Sequence, residues 1–152
     1  MKKLFALILL LSACFSLKVN ASHLMGGQIT ASRIDTFKYA IDLTLYRDTD
    51  GIPIATIDVL NYYEDSMGTW NYDTVKNIYA DAGAYFINGT EVYHYYDTIT
   101  FKHYGKFMIS WLNCCRNLAI LNMTSPASEN LYLNTVVTVD SLAPNSTPIF
   151  LN

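Results

Sequence analysis

Two adjacent cysteines, Cys114 and Cys115, are the residues of this 152-residue chain whose type and spacing most directly suggest chemistry. Redox motifs normally separate their two cysteines by other residues, so this pair does not match one. Across a trans peptide the Cα atoms lie about 3.8 Å apart, closer than the roughly 4.4–6.8 Å of ordinary disulfides. A direct bond is therefore disfavoured, and we expect free thiols, a strained pair, or a disulfide to another chain or segment.

The remaining candidate ligands do not have the spacing of a metal site. None of His23, His94 and His103 stands at zinc-ligand spacing from a second histidine or a cysteine. His94 lies among tyrosines, where a packing role is expected. Residues 48–51 (DTDG) are similar to the start of a calcium loop, but the third acidic residue and the later glutamate of that pattern are missing. We interpret them as a polar β-turn and expect no metal and no cofactor.

Motifs of the common enzyme classes do not occur in the sequence. It contains no Gly-x-Ser-x-Gly elbow, no phosphate-binding loop and no dinucleotide fingerprint. Carboxylates are plentiful, but the sequence alone does not place two of them across a cleft, as a glycosidase requires. We therefore expect no catalytic residues and no enzymatic activity.

The N-terminus has the organisation of a secretory signal. Residues 1–3 are positively charged, residues 4–11 are apolar, and residues 19–21 place small or aliphatic side chains where a signal peptidase reads them. The apolar run is shorter than the about 20 residues that cross a membrane. The sequence predicts a signal peptide at 1–21 and a protein that is secreted or held on the outer cell surface.

A second cleavage pattern competes with the first. Residues 11–14 (LSAC) resemble a bacterial lipobox, in which Cys14 would carry a lipid and anchor the protein to a membrane. The apolar run continues through residues 15–17, and cleavage after Ala21 leaves Ser22 as a natural start. Both features favour plain secretion, with a lipoprotein anchored through Cys14 as the alternative.

The charge of the mature chain excludes some classes of partner. Loss of Lys2, Lys3 and Lys18 with the signal leaves seven basic side chains against thirteen acidic ones, a net charge of about −6. Nucleic acids and anionic lipid surfaces require a basic patch, so neither is an expected partner. No later apolar run approaches spanning length, so we expect no membrane span after the signal.

Period-two alternation predicts that the rest of the chain is built from β-strands. In residues 38–47, Tyr39, Ile41, Leu43 and Leu45 share one face, the pattern of a strand with one buried side. Similar runs occupy residues 91–101, 106–112 and 131–140; the second of these is apolar on both faces and is expected to be central.

Turn signals separate these runs at residues 48–51, 88–89, 103–105 and 143–146. The best candidate for helical structure is a short turn at residues 73–82. Many short strands with regular turns predict an all-β chain, an antiparallel β-sandwich.

Four blocks of the sequence resemble one protein family: residues 21–30 (ASHLMGGQIT), 43–51 (LTLYRDTDG), 109–123 (ISWLNCCRNLAILNM) and 143–152 (APNSTPIFLN). The family is the N-terminal immunoglobulin-like domain of large secreted surface proteins from Bacteroidota, of the gliding-motility-associated or PKD-domain type. The resemblance covers residues 21–152. It implies an extracellular immunoglobulin-like β-sandwich that begins an adhesin-like architecture, exported through the type IX system by means of a C-terminal sorting domain.

Within that resemblance, residues 22–142 would form the immunoglobulin-like domain, with residues 24–30 as its first strand. Gly26 and Gly27 would allow a bend or bulge where side chains would collide. Residues 143–152 would be a last strand or a linker toward a missing domain, so the chain is either a truncated reading frame or a stand-alone module.

Two departures from the family affect what is carried over. Thr49 stands where the family frequently has a cysteine, so a bridge from that loop to Cys114 or Cys115 is not implied. In the family, further domains and the sorting signal follow the segment that matches residues 143–152, so type IX export is not inferred from these 152 residues.

In these bacteria, Asp-Ser/Thr-apolar triplets serve as O-glycosylation acceptors. The matching hydroxyl residues here are Ser66, Thr74, Thr98 and Ser141.

Two functions follow from the sequence. The first is a non-catalytic surface module of an adhesin or motility structure, whose partners are other domains or subunits of that assembly. The second is a carbohydrate-binding module, in which Tyr62, Tyr63, Tyr93 and Tyr95 would stack on sugar rings of extracellular glycans.

Overall fold

The computed structural model of the chain describes residues 24–49, 53–81, 85–87, 89–117, 120–143 and 145–148. The predicted signal peptide, the lipobox cysteine Cys14 and His23 lie outside the described residues, as do Asp50 and Gly51 of the DTDG turn. Within the described ranges, no helix is both long enough and apolar enough to cross a membrane.

Eight β-strands make up nearly all of the regular structure in the described residues, which confirms the prediction of an all-β chain. A single 3-10 turn at Pro126–Ser128 is the exception. The strands are β1 (Leu24–Arg33), β2 (Lys38–Asp48), β3 (Ile57–Ser66), β4 (Thr69–Ala80), β5 (Tyr85–Ile87), β6 (Thr90–Thr100), β7 (Gly105–Cys114) and β8 (Asn130–Val139).

The strands form one antiparallel sheet in the order β1-β2-β6-β4-β3-β7-β8, with the short β5 paired to β6. β4 joins the two halves of the sheet. It pairs with β3 along most of its length but with β6 only at Tyr79 and Ala80. The sheet curls until β1 lies beside β8, so the architecture is nearly a closed barrel.

The core fills the inside of this curled sheet, as the alternation of β2 predicts. Tyr39, Ile41, Leu43 and Leu45 are all buried, and they belong to the same core cluster as Trp111 of β7. β7 pairs with β3 on one side and with β8 on the other, so it is not an edge strand, but Leu112 on its outer face is 53% exposed and its second apolar face is not buried as expected. Other large buried side chains in the same cluster are Leu60, Tyr62, Ile78, Tyr95, Phe107, Ile109, Leu131 and Val137.

One charged pair is also buried. Arg47 of β2 and Glu91 of β6 are opposite one another in the strand register, and the guanidinium Nε and Nη2 both contact Glu91 Oε2. Their side chains are only 7% and 10% exposed. The pair therefore links β2 and β6 on the inner side of the sheet.

The Gly26–Gly27 region of β1 contains the irregularity that the sequence predicts. The register against β2 shifts between Leu24 and Gly26. A Cβ on Gly27 would lie 2.6 Å from the carbonyl oxygen of Thr44 and 2.9 Å from Cδ1 of Leu133 on β8. Gly27 therefore allows β1 to approach both of its neighbours closely, whereas a Cβ on Gly26 would meet nothing within 4 Å.

The hairpin of β3 and β4 was not predicted, and the helical turn expected at residues 73–82 is wrong. Those residues lie largely in β4. The tight turn at Met67 and Gly68 has positive φ at both residues, 53° and 86°, as a two-residue hairpin turn requires. Asp65 Oδ1 accepts a hydrogen bond of 2.7 Å from the Gly68 N–H and fixes this turn.

The free edge of β1 is covered at both ends by segments that are not strands. The Asn117 N–H donates to the Leu24 carbonyl at 3.0 Å. At the other end, Thr147 exchanges two hydrogen bonds with the backbone of Ala31, through its own N–H at 3.0 Å and its hydroxyl at 2.8 Å. The Ser146 hydroxyl accepts from the Arg33 N–H at 3.0 Å. Residues 145–148 thus run along β1.

Candidate functional site

The outer face of β1, β2, β6 and β4 carries a row of side chains that face solvent. The strand register places Tyr79 beside Tyr96, Tyr96 beside Asp42, and Asp42 beside Thr30. Ile57 of β3 extends the row beyond Tyr79. Neighbouring strands are about 4.8 Å apart, so the row crosses the sheet at roughly right angles to its strands.

A hydrogen-bonded cluster holds the polar part of this row in place. His94 Nδ1 lies 3.2 Å from both carboxylate oxygens of Asp42, and Thr44 Oγ1 lies 3.4 Å from Asp42 Oδ1. An ionised carboxylate only accepts hydrogen bonds, so Nδ1 and the Thr44 hydroxyl are the donors. The Asp42 carboxylate is therefore oriented by two neighbours on rigid strands.

Tyr96 provides the apolar part of the row. Its ring lies parallel to that of His94, with 5.7 Å between the ring centroids and an angle of 3° between the planes. Tyr96 is 55% exposed and its neighbour Tyr79 is 61% exposed. An antiparallel sheet usually presents polar residues to water, so two adjacent exposed aromatic residues are an uncommon feature of such a face.

Beside Tyr96 the surface forms an open depression of about 250 Å³. Ala40 lies within it, and its small side chain leaves room between larger neighbours. The lining combines an aromatic ring, a carboxylate and two hydroxyl groups. The residues that line it are Thr30, Ser32, Ala40, Ile41, Asp42 and Tyr96.

In three comparisons with known proteins, the chain matches no protein-family model, no curated protein and no solved structure.

The cluster of Asp42, His94 and Thr44 does not have the geometry of a nucleophilic triad. Thr44 is only 1% exposed, and its hydroxyl lies near the same imidazole nitrogen that faces Asp42. A triad places the nucleophile and the carboxylate on opposite nitrogens of the ring. Across the described ranges, no three His, Cys, Asp or Glu side chains gather closely enough to hold a metal ion.

The tyrosines predicted to stack on sugars are not the ones that reach solvent. Tyr62 and Tyr95 are 1% and 0% exposed and belong to the core, which corrects the prediction for both. Burial is the main cause that raises their pKa values above that of an ordinary tyrosine. Tyr63 is half-buried and packs edge-on against Tyr72, and the half-buried Tyr93 packs against the core.

The exposed Tyr96 follows Tyr95 directly in residues 93–96 (YHYY), but it is not among the tyrosines that the sequence predicts to stack on sugars. It is two residues after His94 in β6, so both point to the outer face, whereas Tyr93 and Tyr95 point inward. The period-two alternation of β6 contained this signal. What was missing was the knowledge of which face is buried.

The two cysteines differ from the sequence-based expectation. Cys114 and Cys115 are bonded to each other by a disulfide, across a cis peptide with Cα atoms 3.1 Å apart. The argument against a direct bond assumed a trans peptide. Cys114 ends β7 and is exposed, and Cys115 is half-exposed.

The predicted glycosylation acceptors are distributed over the surface. Ser66 is exposed at the end of β3, Thr98 is exposed on β6, and Ser141 is exposed after β8. Thr74 on β4 is half-buried. Their modification stays a prediction.

Proposed function

We propose that this chain is a non-catalytic, exported binding module with an immunoglobulin-like β-sandwich fold. It holds its partner on the outer face of β1, β2 and β6, together with the adjoining end of β4 and Ile57 of β3. We infer that it acts at the outer cell surface or in the secreted state, as part of an adhesin-like or motility-associated assembly.

The strand order supports the immunoglobulin-like assignment. In that fold, the first, second and fifth long strands share one layer with the fourth, and the third, sixth and seventh share the other. Here β1, β2 and β6 form one half of the sheet and β3, β7 and β8 form the other. β4 pairs with β6 at Tyr79 and Ala80, as the fourth strand pairs with the fifth in that fold, whereas the rest of β4 departs from it by pairing with β3.

Export and surface location are supported by the signal pattern at residues 1–21 and by the resemblance to Bacteroidota surface proteins. The partners we propose are other domains or subunits of a surface assembly. The alternative location, a lipoprotein anchored through Cys14, rests on the lipobox-like residues 11–14.

The observation that carries the binding function is the exposed apolar row across three strands. Ile57, Tyr79 and Tyr96 are register neighbours, and each is more than half-exposed. Single exposed apolar residues are ordinary, but contiguous ones mark places where proteins bind something. The rigid sheet beneath them fixes their positions before binding, which lowers the entropic cost of association.

Retention on coated beads tests the function. The full chain is expressed with its own N-terminus, purified, coupled to beads and exposed to outer-envelope fragments of a Bacteroidota bacterium and to a panel of polysaccharides. We expect the Tyr79→Ala/Tyr96→Ala double variant to retain at least about tenfold less material.

The matched control is Tyr132→Ala, which removes a tyrosine that is 46% exposed on β8, in the other half of the sheet. This variant is expected to retain as much as the unaltered protein. Equal retention by the unaltered protein and the double variant, with both folded by circular dichroism, contradicts the proposal.

A further inference from the structure

We propose that the depression beside Tyr96 binds one sugar ring of a neutral glycan, an inference that rests on the proposed binding function and names its ligand class. The site combines two surfaces that a pyranose ring requires. One is an aromatic face for its C–H groups, and the other is a set of polar groups for its hydroxyls.

Tyr96 supplies the aromatic face. The C–H bonds on one side of a pyranose form an apolar surface that packs on the electron-rich face of an aromatic ring. Tyr96 lines the depression and is 55% exposed, and its parallel contact with His94 fixes the orientation of its ring. The small side chain of Ala40 leaves the space that the sugar ring occupies.

Asp42 supplies the main polar contact. An ionised carboxylate has about four acceptor sites, and His94 and Thr44 supply two donors to it. The remaining acceptor sites can take hydrogen bonds from two neighbouring sugar hydroxyls. Hydrogen bonds to a charged group are stronger than neutral ones, so this contact also fixes the orientation of the ring.

Thr30 and Ser32 of β1 complete the polar side of the depression. Each hydroxyl both donates and accepts, which suits the hydroxyl groups of a sugar. All of these groups lie on paired strands, so little ordering is needed when the ligand binds.

Two features select a neutral, extended glycan. The carboxylate of Asp42 and the net charge of about −6 that remains after loss of the signal peptide repel acidic sugars. Tyr79, which is 61% exposed and lies beside Tyr96 on the next strand, offers a second aromatic surface one strand away. The glycan would therefore run across the strands, with successive rings near Tyr96 and Tyr79.

Isothermal titration calorimetry tests the inference with neutral hexasaccharides of glucose, mannose, xylose and N-acetylglucosamine. Polygalacturonate and choline serve as contrasting probes, since choline would report a cation site beside an aromatic ring. We expect at least one neutral hexasaccharide to bind and neither contrasting probe to do so.

Among the variants, we expect Tyr96→Ala and Asp42→Asn each to weaken binding by about tenfold or more, whereas Tyr132→Ala leaves it unchanged. Unchanged sugar binding in Tyr96→Ala would overturn the site. Choline or polygalacturonate binding without any neutral sugar would overturn the ligand class.

The bead experiment separates this inference from the proposed function. If no neutral sugar binds but the beads still retain envelope material through Tyr79 and Tyr96, the glycan inference fails and the binding function stands. If neither sugar binding nor retention is observed, both fail.

Discussion

The hydroxyl of Tyr95 donates a hydrogen bond to the carbonyl oxygen of Ala55. This part-buried contact joins β6 to the segment that leads into β3, and so connects the two halves of the sheet. Tyr62 is equally buried, but in the described part of the chain its hydroxyl has no hydrogen-bond partner. The two core tyrosines are thus buried to the same extent, but the Tyr95 hydroxyl makes a hydrogen bond and the Tyr62 hydroxyl does not.

Replacing each of these tyrosines by phenylalanine should change stability in opposite directions. Tyr62→Phe removes a polar group that is buried without a partner, so the free energy of unfolding should rise by about 1 kcal/mol. Tyr95→Phe removes a satisfied donor and leaves the Ala55 carbonyl without it, so the free energy should fall by about 1 kcal/mol. Urea denaturation measures both, and a shift of both variants in the same direction contradicts the assignment.

Alkaline pH should destabilise the fold through the same two residues. Burial raises the pKa of Tyr62 and Tyr95 above 10.0, with the nearby carboxylates Asp97 and Asp58 adding to the effect. In the unfolded chain these tyrosines ionise near pH 10, so above that pH the unfolded state releases protons that the folded state keeps. The contribution of these two tyrosines to the free energy of unfolding is therefore fully present below about pH 10 and decreases as the pH rises further.

Urea denaturation at a series of pH values, together with tyrosinate absorbance, measures this decline. Tyr62→Phe is the matched control, because it has one buried tyrosine fewer and should lose stability less steeply. A free energy of unfolding that is constant up to about pH 11 would be inconsistent with the buried hydroxyls.

Adding one methyl group at Gly27 should destabilise the protein, whereas adding it at Gly26 should not. In Gly27→Ala the new Cβ meets the Thr44 carbonyl oxygen at 2.6 Å and side-chain atoms of Leu45 and Leu133 within 3 Å. Because one of these atoms belongs to the backbone, β1 must move, at a cost of about 1–3 kcal/mol. Thermal denaturation of the two variants measures the difference, and equal melting temperatures would show that β1 does not approach β2 and β8 so closely.

Removing the charge of Glu91 should be among the most destabilising substitutions in the sheet that keep the size of the side chain. Glu91→Gln keeps the size of the side chain but takes the negative charge from beside the buried Arg47 guanidinium, which should cost about 3 kcal/mol. Asp73→Asn is the control, because its partner Lys102 is 77% exposed and such pairs contribute about 1 kcal/mol or less. Similar losses in both variants, measured by urea denaturation, would show that the Arg47 pair is effectively solvated.

The strands that were predicted from sequence are those in which one face is consistently apolar. β2 is the clearest case, because its inward residues from Tyr39 to Leu45 alternate with residues on the outer face. β3 and β4 were missed because exposed apolar residues such as Val59, Tyr72 and Val75 remove the contrast between the two faces. The alternation of one strand shows a period, but only its packing against other strands shows which face is buried.

The same limit explains why the residues of the candidate site were not predicted from the sequence. Residues 93–96 contain three tyrosines, and the alternation of β6 places Tyr95 and Tyr96 on opposite faces without showing which face is buried. Asp42 could not be selected either, because its neighbour Tyr96 comes from β6, a strand distant in sequence from β2. The bond between Cys114 and Cys115 depended on the conformation of a single peptide, which composition and spacing do not specify.

The cover over β1 has a consequence for how copies of this protein meet. An open strand edge offers a line of donors and acceptors on which another chain can add, and such additions lead to fibres. Asn117 occupies this line at Leu24, and Ser146 and Thr147 occupy it at Arg33 and Ala31. These hydrogen bonds at the two ends of β1 therefore hinder the addition of a strand from another copy of the protein. A chain cut before residue 145 would lose the contacts made by Ser146 and Thr147.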